Sequence, residues 1–214
     1  VRRFWHCVPG AGNLKWNWHL SLFCDEFERV IRRVVAGLPK ENDLIFNEPP
    51  GTSKSTVFSI LGPAWGWTIA PWLRFMSASN SDNLVTDLSS KSRDVIRSEL
   101  YQKCFPEIQF REAQDAKGYF ANTLGGDRFT CTVAGKSPIG FHFHAAIVDD
   151  PIDPKRMGSK AEVQTAREFM TNVLPSRKLD KLVSATILVM QRLGVGDPTD
   201  VILEESKKEG AAKV

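Results

Sequence analysis

Cysteine and long apolar runs are both scarce in this sequence, and each scarcity excludes a class of protein. The 214 residues include four cysteines, none of them in a Cys-x-x-Cys pair, which argues against a disulfide scaffold. No apolar run approaches the roughly 20 residues of a membrane span. The first residues, Val1, Arg2 and Arg3, lack the apolar core of a signal peptide. We therefore expect a protein of a reducing cytoplasm with no membrane partner.

The composition favours a single α/β domain. A chain of 214 residues that is 42% hydrophobic and 25% charged can bury a sizeable core. Its net charge of +3 is mildly basic, which is compatible with a nucleic-acid partner without requiring one. Because the sequence starts without Met and residues 207–210 resemble the end of a helix, we expect a piece of a longer protein.

A phosphate-binding loop is the first functional signal. Residues 47–56, Asn-Glu-Pro-Pro-Gly-Thr-Ser-Lys-Ser-Thr, lie between two apolar runs, a pattern that predicts strand, loop and helix. In such a loop, backbone N–H groups surround a polyphosphate, a lysine neutralises its outer phosphates, and the next hydroxyl ligates Mg²⁺. Lys54 and Ser55 follow this order, although Glu48 and Ser53 occupy the usual glycine positions. An ordinary turn that caps a helix is the alternative.

A second signal comes from Ala-Ala-Ile-Val-Asp-Asp-Pro at residues 145–151. An apolar run that ends in two carboxylates is typical of a buried parallel strand, which delivers them to the ligand-binding edge of an α/β sheet. There Asp149 could hold Mg²⁺, and Asp150 could orient and polarise an attacking water. A strand that runs into an Asp-Pro turn is the alternative. Together with Lys54 and Ser55, the two acids favour a nucleotide site.

The rest of the chain predicts helices and strands around these two motifs. A first helix should open at Trp18 and His19 and bury one apolar face. That face comprises Leu20, Phe23, Phe27, Val30, Ile31 and Val34. Residues 2–18 show no periodicity and predict an irregular segment, while residues 62–67, rich in Gly and Pro, predict a break after the phosphate-loop helix. Residues 73–78 should form a strand.

The C-terminal two thirds of the sequence predicts a hairpin and three further helices. Asn80 or Ser81 should cap a helix that buries Leu84, Leu88, Val95, Ile96 and Leu100. Residues 119–124 and 128–133 flank a Gly-Gly-Asp turn, which indicates a β-hairpin, and residues 135–140 should form a loop. We expect a helix over 159–174, a strand over 182–190, and a last helix that begins at Asp197 and Pro198.

Two groups of side chains have open interpretations. Trp16, Trp18 and His19 precede the phosphate loop and could hold an adenine, or they could simply pack in the core. The helix after residue 81 carries Lys91, Arg93 and Arg97 off its apolar face. These cations predict a solvated surface, with contact to a phosphate backbone as the alternative.

In its short motifs the chain resembles the ATPase domain of the large terminase subunit of tailed bacteriophages, the motor that packages DNA. The similarity extends over nearly the full length. It rests on Trp-Asn-Trp-His at 16–19, the phosphate loop at 49–56, Pro-Ala-Trp at 63–65, Ser-Ala-Ser-Asn-Ser at 77–81, Lys-Gly at 117–118, Asn-Thr-Leu-Gly-Gly at 122–126, Ile-Val-Asp-Asp-Pro at 147–151 and Met-Gln-Arg-Leu at 190–193.

The resemblance implies an α/β P-loop NTPase fold of the additional-strand type, with a mainly parallel sheet flanked by helices and a β-hairpin insertion. It implies ATP and Mg²⁺ as cofactors and double-stranded DNA as substrate. It also implies a ring of identical subunits in the host cytoplasm, with the portal protein and the small terminase subunit as partners. Residues 1–214 would form the ATPase domain: an N-terminal segment and helix at 1–40, a nucleotide-binding core at 41–193, and a C-terminal helix region at 194–214. That last region would lead to a nuclease domain that the sequence does not contain.

The resemblance also assigns roles to residues. Lys54 would match the phosphate-binding lysine and Ser55 the Mg²⁺-binding hydroxyl, inside a loop of Pro50, Gly51, Thr52, Ser53, Lys54, Ser55 and Thr56. Asp149 would match the Mg²⁺ aspartate and Asp150 the catalytic carboxylate. Gln191 would sense the γ-phosphate.

The sequence departs from the family at its arginines. Many relatives carry Arg where this chain has Gly51, and Arg before the acidic strand where it has Phe141. An arginine finger would have to come from another position, and the candidates are Arg128, Arg156 and Arg192. Of these, Arg128 is our first candidate for a catalytic role.

Two other functions remain possible from the sequence. A helicase-like or other P-loop ATPase would share the nucleotide site. A nucleic-acid-binding module whose loop no longer turns over ATP would explain Glu48 and Ser53 at the glycine positions.

Overall fold

The computed structural model describes residues 1–8, 16–135 and 138–207. Its α-helices are α1 (Trp18–Val35), α2 (Gly62–Ile69), α3 (Asp82–Arg97), α4 (Glu99–Cys104), α5 (Lys160–Glu168), α6 (Leu174–Ser176) and α7 (Pro198–Glu205). Its strands are β1 (Leu44–Asn47), β2 (Arg74–Ser79), β3 (Phe110–Ala116), β4 (Tyr119–Asn122), β5 (Asp127–Thr132), β6 (Ala145–Asp149) and β7 (Ala185–Met190). Arg2–Cys7 and Pro154–Arg156 form 3₁₀ helices, and Thr56–Leu61 and Phe169–Val173 form π-helical turns.

In the described residues, one sheet contains all seven strands in the order β1-β7-β6-β2-β5-β4-β3. The first five strands are parallel, and β4 and β3 continue the sheet in antiparallel pairs. Strand β7 lies between β1, which leads into the phosphate loop, and β6, which carries the acids. That insertion defines the additional-strand arrangement, so the predicted α/β fold is confirmed.

Helices cover both faces of the sheet. Helix α1 packs on one face with α2 and α3, while α5 and α7 pack on the other. Asn17 caps α1 through its own side chain, and all six apolar residues predicted for its inner face are buried. The segment before α1 is more regular than predicted, because Arg2–Cys7 is helical and packs its Cys7 into the core. Residues 9–15 lie outside the described part.

The predicted break at residues 62–67 is wrong. The chain is helical without interruption from 54 to 69. Gly62 donates its N–H to the carbonyl of Val57, five residues back, and this wide π turn accommodates Pro63 in the next position. A Cβ at Gly62 would lie 2.6 Å from the Phe27 ring, and one at Gly66 would lie 2.6 Å from the Phe75 ring. These glycines therefore permit close helix packing instead of ending the helix.

The hairpin is confirmed, and it is part of a longer meander. Strands β4 and β5 pair antiparallel, and Asn122 shapes their turn by accepting the N–H groups of Leu124 and Gly126. Strand β5 also pairs in parallel with β2, so the hairpin joins the central sheet. Strand β3 was not predicted, because its mostly exposed sequence lacks an alternating apolar pattern.

The remaining predictions hold with smaller corrections. Ser81 caps α3, Ser159 caps α5, and Asp197 caps α7 with Pro198 in its first turn. Leu100 is 47% exposed and belongs to α4, so it does not extend the buried face of α3. Strand β7 begins at Ala185, and Leu182 before it is 69% exposed. The predicted loop at 135–140 falls partly outside the described residues. The chain after residue 207 lies wholly outside them.

Candidate nucleotide site

The loop after β1 contains two residues in a left-handed conformation, although glycine is missing from two of its expected positions. Gly51 has φ +84° and Ser53 has φ +63°, so both lie in the left-handed region. Ser53 stands where the common pattern has glycine, and it adopts the conformation for which glycine is usually selected. The carbonyl of Ser53 accepts the N–H of Val57, so the helix starts directly after the strained residue.

Lys54 stands at the first turn of that helix and points toward the end of β6. The residue is only 6% exposed. Its Nζ lies 3.8 Å from Oδ2 of Asp150, its ion-pair partner in the structure. A buried ammonium with one distant carboxylate can accept a stronger anionic partner, such as a phosphate, at little cost in lost contacts.

Asp149 is the last residue of β6, and its carboxylate accepts hydrogen bonds from two hydroxyl groups of the helix that follows the loop. Ser55 Oγ donates to its Oδ1 at 3.1 Å, and Ser59 Oγ donates to its Oδ2 at 2.6 Å. Burial raises the pKa of Asp149 to about 6, although both hydroxyls oppose the shift. The two hydroxyl groups therefore offset only part of the cost of burying this carboxylate.

Ser59 was missed from the sequence. It follows Ser55 by one helical turn, so the spacing of the two serines offered a signal. The π turn of Thr56–Leu61 contains it, and the side chain is almost completely buried.

Asp150 is held by its backbone in a strained conformation. Its φ is +45°, uncommon for a residue other than glycine. Its N–H donates to Val189, and its carbonyl accepts two bonds from Asn80, from Nδ2 at 2.7 Å and from the backbone N–H at 3.1 Å. Strain that neighbouring strands maintain in this way is typical of functional residues. Asn80, expected only as a helix cap, therefore positions the acid.

The charge of Asp150 is set by opposing effects. Burial raises its pKa, while Lys54 and the backbone N–H of Gln191 lower it. Gln191 follows β7, so the additional strand delivers it between the loop and the acids. The β7 carbonyl of Met190 also accepts the N–H of Glu48, which ties the loop to this strand.

The donor set fits Mg²⁺ bound together with a phosphate. Ser55 and Asp149 offer a hydroxyl and a carboxylate oxygen, the hard ligands that Mg²⁺ prefers. The described residues contain no group of three or more His, Cys, Asp or Glu that could hold a metal by itself. Mg²⁺ is usually held by one or two carboxylates with phosphates and water, so a sparse protein set suits it.

The three side chains predicted to hold an adenine, Trp16, Trp18 and His19, differ in how exposed they are and in their partners. Trp18 is 71% exposed at the start of α1. The His19 ring packs 5.5 Å from the Phe23 ring, which in turn contacts the rings of Phe46 in β1 and Phe58 after the loop. This places His19 at the edge of the aromatic cluster under the loop. Trp16 donates its Nε1 to Ser21 and is covered by Arg2, so it has partners of its own. The base-binding role stays a prediction.

The three arginine-finger candidates occupy very different positions. Arg128 lies in β5 beside Phe75 and Phe120, fully buried, and its guanidinium has no hydrogen-bond partner in the part of the chain that is described. Burial lowers its pKa to about 9. The structure does not bring Arg128 to Lys54 or Asp150, so its catalytic role stays a prediction that this geometry does not support.

The other two candidates lie on the surface. Arg192 binds Asp197 and Asp200 and thereby fastens the start of α7. Arg156 is paired with Glu162, and 63% of its side chain is exposed. Of the three, Arg156 has the greatest freedom to reach a neighbouring molecule.

Neither a protein-family profile nor a curated protein sequence matches the chain. Among solved structures, the chain is similar to the HK97 bacteriophage large terminase, with a TM-score of 0.55 and 10% sequence identity. The similarity covers 96% of this chain and 40% of that one, so this chain spans less than half the length of the terminase. At this identity the similarity shows the fold alone. The chain has a terminase-like fold, as its short motifs predicted.

Proposed function

We propose that this chain is the ATP-hydrolysing motor domain of a viral large terminase, which moves double-stranded DNA into a procapsid. One observation carries the proposal: within a terminase-like fold, Lys54 lies 3.8 Å from Asp150, and Ser55 lies 3.1 Å from Asp149. A lysine, a hydroxyl–carboxylate pair and a second carboxylate therefore meet at one edge of the sheet, and this grouping supports the proposal. No described helix could cross a membrane, and the packaging site would be the host cytoplasm.

Each residue has a distinct role in this proposal. Ser55 and Asp149 would hold Mg²⁺, which would supply neutralisation of phosphate charge. Lys54 leaves Asp150 for the outer phosphates of ATP, and the backbone N–H groups of the loop surround them. Asp150 then orients the attacking water and polarises it. The two hydrogen bonds from Asn80, one from its side chain and one from its backbone N–H, hold the Asp150 carbonyl in place while the ion-pair partner of Asp150 changes.

Gln191 connects the site to the rest of the domain. It follows the strand between the loop and the acids, and its N–H contacts Asp150. In this proposal, a change at the γ-phosphate position would displace Gln191 and with it the end of β7. The bond between Arg192 and Asp197 would pass that displacement to α7. In the proposed motor this path links hydrolysis to movement of DNA, in a ring of subunits that also contacts the portal protein and the small terminase subunit.

ATP turnover with Mg²⁺ tests the proposal. We expect hydrolysis that EDTA abolishes and that double-stranded DNA alters. Binding of ATP without turnover would favour the nucleic-acid-binding module instead, and strand separation of a duplex would favour the helicase-like ATPase.

Turnover per subunit should also rise with protein concentration. Phosphoryl transfer builds negative charge, and an arginine finger contributes about 10³ to 10⁵ in rate. Neither Gly51 nor Phe141 supplies one, so we propose that a neighbouring subunit does. The measurement compares the wild type with Arg128→Ala, Arg156→Ala and Arg192→Ala over a dilution series. A fast rate that stays constant on dilution would place the finger within one chain.

A further inference from the structure

A groove of about 970 Å³ lies at the end of the sheet opposite the nucleotide site, where β1 and β7 begin. The segment before β1 forms one side, and the helical turn at residues 170–174 and α7 form the other. Met170 and Leu174 line it but are buried, so its accessible apolar surface comes from Ile202 and from Leu182. Leu182, which is 69% exposed, stands on its rim.

The floor of the groove is a buried cluster of Lys40, Asp43 and Lys178. Both ammonium groups contact the same oxygen, Oδ2 of Asp43, at 2.8 and 3.3 Å. The side chains of Lys40 and Lys178 are only 8% and 7% exposed. The other oxygen of Asp43 accepts the backbone N–H of Thr186 at 2.7 Å, so both oxygens of the carboxylate are engaged.

The cluster therefore holds one positive charge in excess. Two ammonium groups offer six N–H donors, and in the part of the chain that the structure describes they share a single acceptor atom. Burial, together with the proximity of Lys40, lowers the pKa of Lys178 to about 8, against the opposing effect of Asp43. A buried cation without its own counter-ion is costly, and an added anion would relieve that cost.

Other charged groups around the groove leave this excess in place. Glu41 binds Arg29 and Arg33 on α1 and is directed to them. Lys181 is exposed on the same side as Leu182, and Glu205 stands on α7 across the groove. The lysine cluster therefore makes the groove locally positive, and Ile202 and Leu182 supply accessible apolar surface beside it.

We propose that this groove binds a peptide segment of a protein partner in which one acidic side chain stands between apolar ones. The acid would reach the Lys40 and Lys178 ammonium groups, and the apolar side chains would cover Ile202 and Leu182. A nucleic-acid backbone matches the charge but has no apolar groups for these two side chains, so a peptide fits better. The proposal is independent of the nucleotide site.

A pair of fluorescent probes tests the chemistry of the groove. One is 8-anilinonaphthalene-1-sulfonate, which combines apolar rings with one negative charge, and the other is N-phenyl-1-naphthylamine, its uncharged counterpart. We expect Lys178→Met to weaken the sulfonate probe about tenfold and to spare the neutral probe, because one charged contact is lost. Raising the pH from 7 to 9.5 should act in the same direction on the wild type. Lys155→Met, which removes one positive charge far from the groove, should change neither.

Selection from a library of random 12-residue peptides tests the occupant. The wild type is the target, and Lys178→Met serves to remove peptides that ignore the lysine. We expect the surviving peptides to share an acid flanked by apolar residues. Peptides without a common acid, equal weakening of both probes, or an unchanged sulfonate affinity in Lys178→Met would each overturn the proposal. Self-association that Lys178→Met abolishes would also overturn it, since a second copy would then be the occupant.

Discussion

The two ends of the central sheet carry buried lysine–aspartate clusters of opposite composition. At the carboxyl end, Lys54 stands between two acids, Asp149 and Asp150, and the cluster has one negative charge in excess. At the amino end, Asp43 stands between two lysines, and the excess is positive. The sign of the missing charge indicates the ligand that each end should take: a metal cation at one, an anionic group at the other.

The two ends also differ in backbone strain. Among the described residues other than glycine, Ser53 and Asp150 have positive φ, and both belong to the carboxyl end. The amino-end cluster is built on ordinary backbone. Backbone strain of this kind is typical of functional sites, and in the described residues it lies at the end where we propose that ATP binds.

The largest expected effect follows Lys54→Ala, which would leave two carboxylates at the carboxyl end without a cation. ATP binding should weaken and hydrolysis should stop, because the loop loses its side-chain cation against the outer phosphates. Steady-state ATP turnover measures the loss, with Lys155→Ala as a control of equal charge. Normal turnover in Lys54→Ala would move the active site elsewhere.

Asp150→Asn balances the charges at the same end while keeping the shape of the side chain. Binding of ATP with Mg²⁺ should persist, and hydrolysis should fall by roughly 10² or more, as on loss of a general base. Nucleotide binding and single-turnover rates measured on one preparation separate the two. If binding were lost with turnover, Asp150 would be a metal ligand and the roles of the two acids would be reversed.

Asp149→Asn removes the excess negative charge itself, so it should stabilise the protein while abolishing Mg²⁺-dependent hydrolysis. The pKa of Asp149 is about 6 in the folded protein, against about 4 for an ordinary aspartate. The folded state thus binds the proton more tightly, and the free energy of unfolding falls as the pH rises through this window. Above pH 6 the cost is on the order of 2 to 3 kcal/mol.

Urea denaturation without nucleotide or metal checks this prediction. The gain in the free energy of unfolding of Asp149→Asn should be present at pH 7.5 and nearly absent at pH 4. An equal gain at both values would mean that the carboxylate's charge is not the cause.

Ser53→Gly should have the smallest effect. It removes the steric cost of a left-handed serine, about 1 kcal/mol, part of which the added chain entropy of glycine offsets. We expect a gain in thermal stability below that value and unchanged turnover. Gly51→Ser is the matched reversal, because a side chain there meets no atom within 4 Å and only its φ of +84° opposes it. If both variants shifted stability in the same direction, backbone strain would not be the reason.

The sequence predicted most of the carboxyl end because its signals are local. A lysine followed by a hydroxyl residue, and an apolar run that ends in two acids, are each visible within ten residues. Ser81 and Asp197 were predicted as caps for the same reason. The loop was predicted from the order of a lysine and a hydroxyl residue, Lys54 and Ser55, and not from its glycines. Ser53 adopts the left-handed conformation that a glycine would usually provide at its position.

The features that were missed depend on contacts between distant segments. Gly62 and Gly66 resemble helix breakers until the rings of Phe27 and Phe75 are seen against them. The amino-end cluster joins Asp43 to Lys178, which are separated by 135 positions, and no short pattern connects them. Strand β3 is exposed, so it lacks the alternation by which a strand is predicted.

The unbroken helix from Lys54 to Ile69 has a mechanical consequence. At about 1.5 Å per residue it spans roughly 24 Å, from the phosphate loop to the edge of β2. Through Gly62 and Gly66 it packs closely against the Phe27 ring of α1 and the Phe75 ring of β2. No loop interrupts this helix after residue 61, so continuous helical structure joins Lys54 to the residues that contact the helix layer and the sheet. In the motor that we propose, this helix would carry a displacement at Lys54 to the helices and the sheet that it contacts.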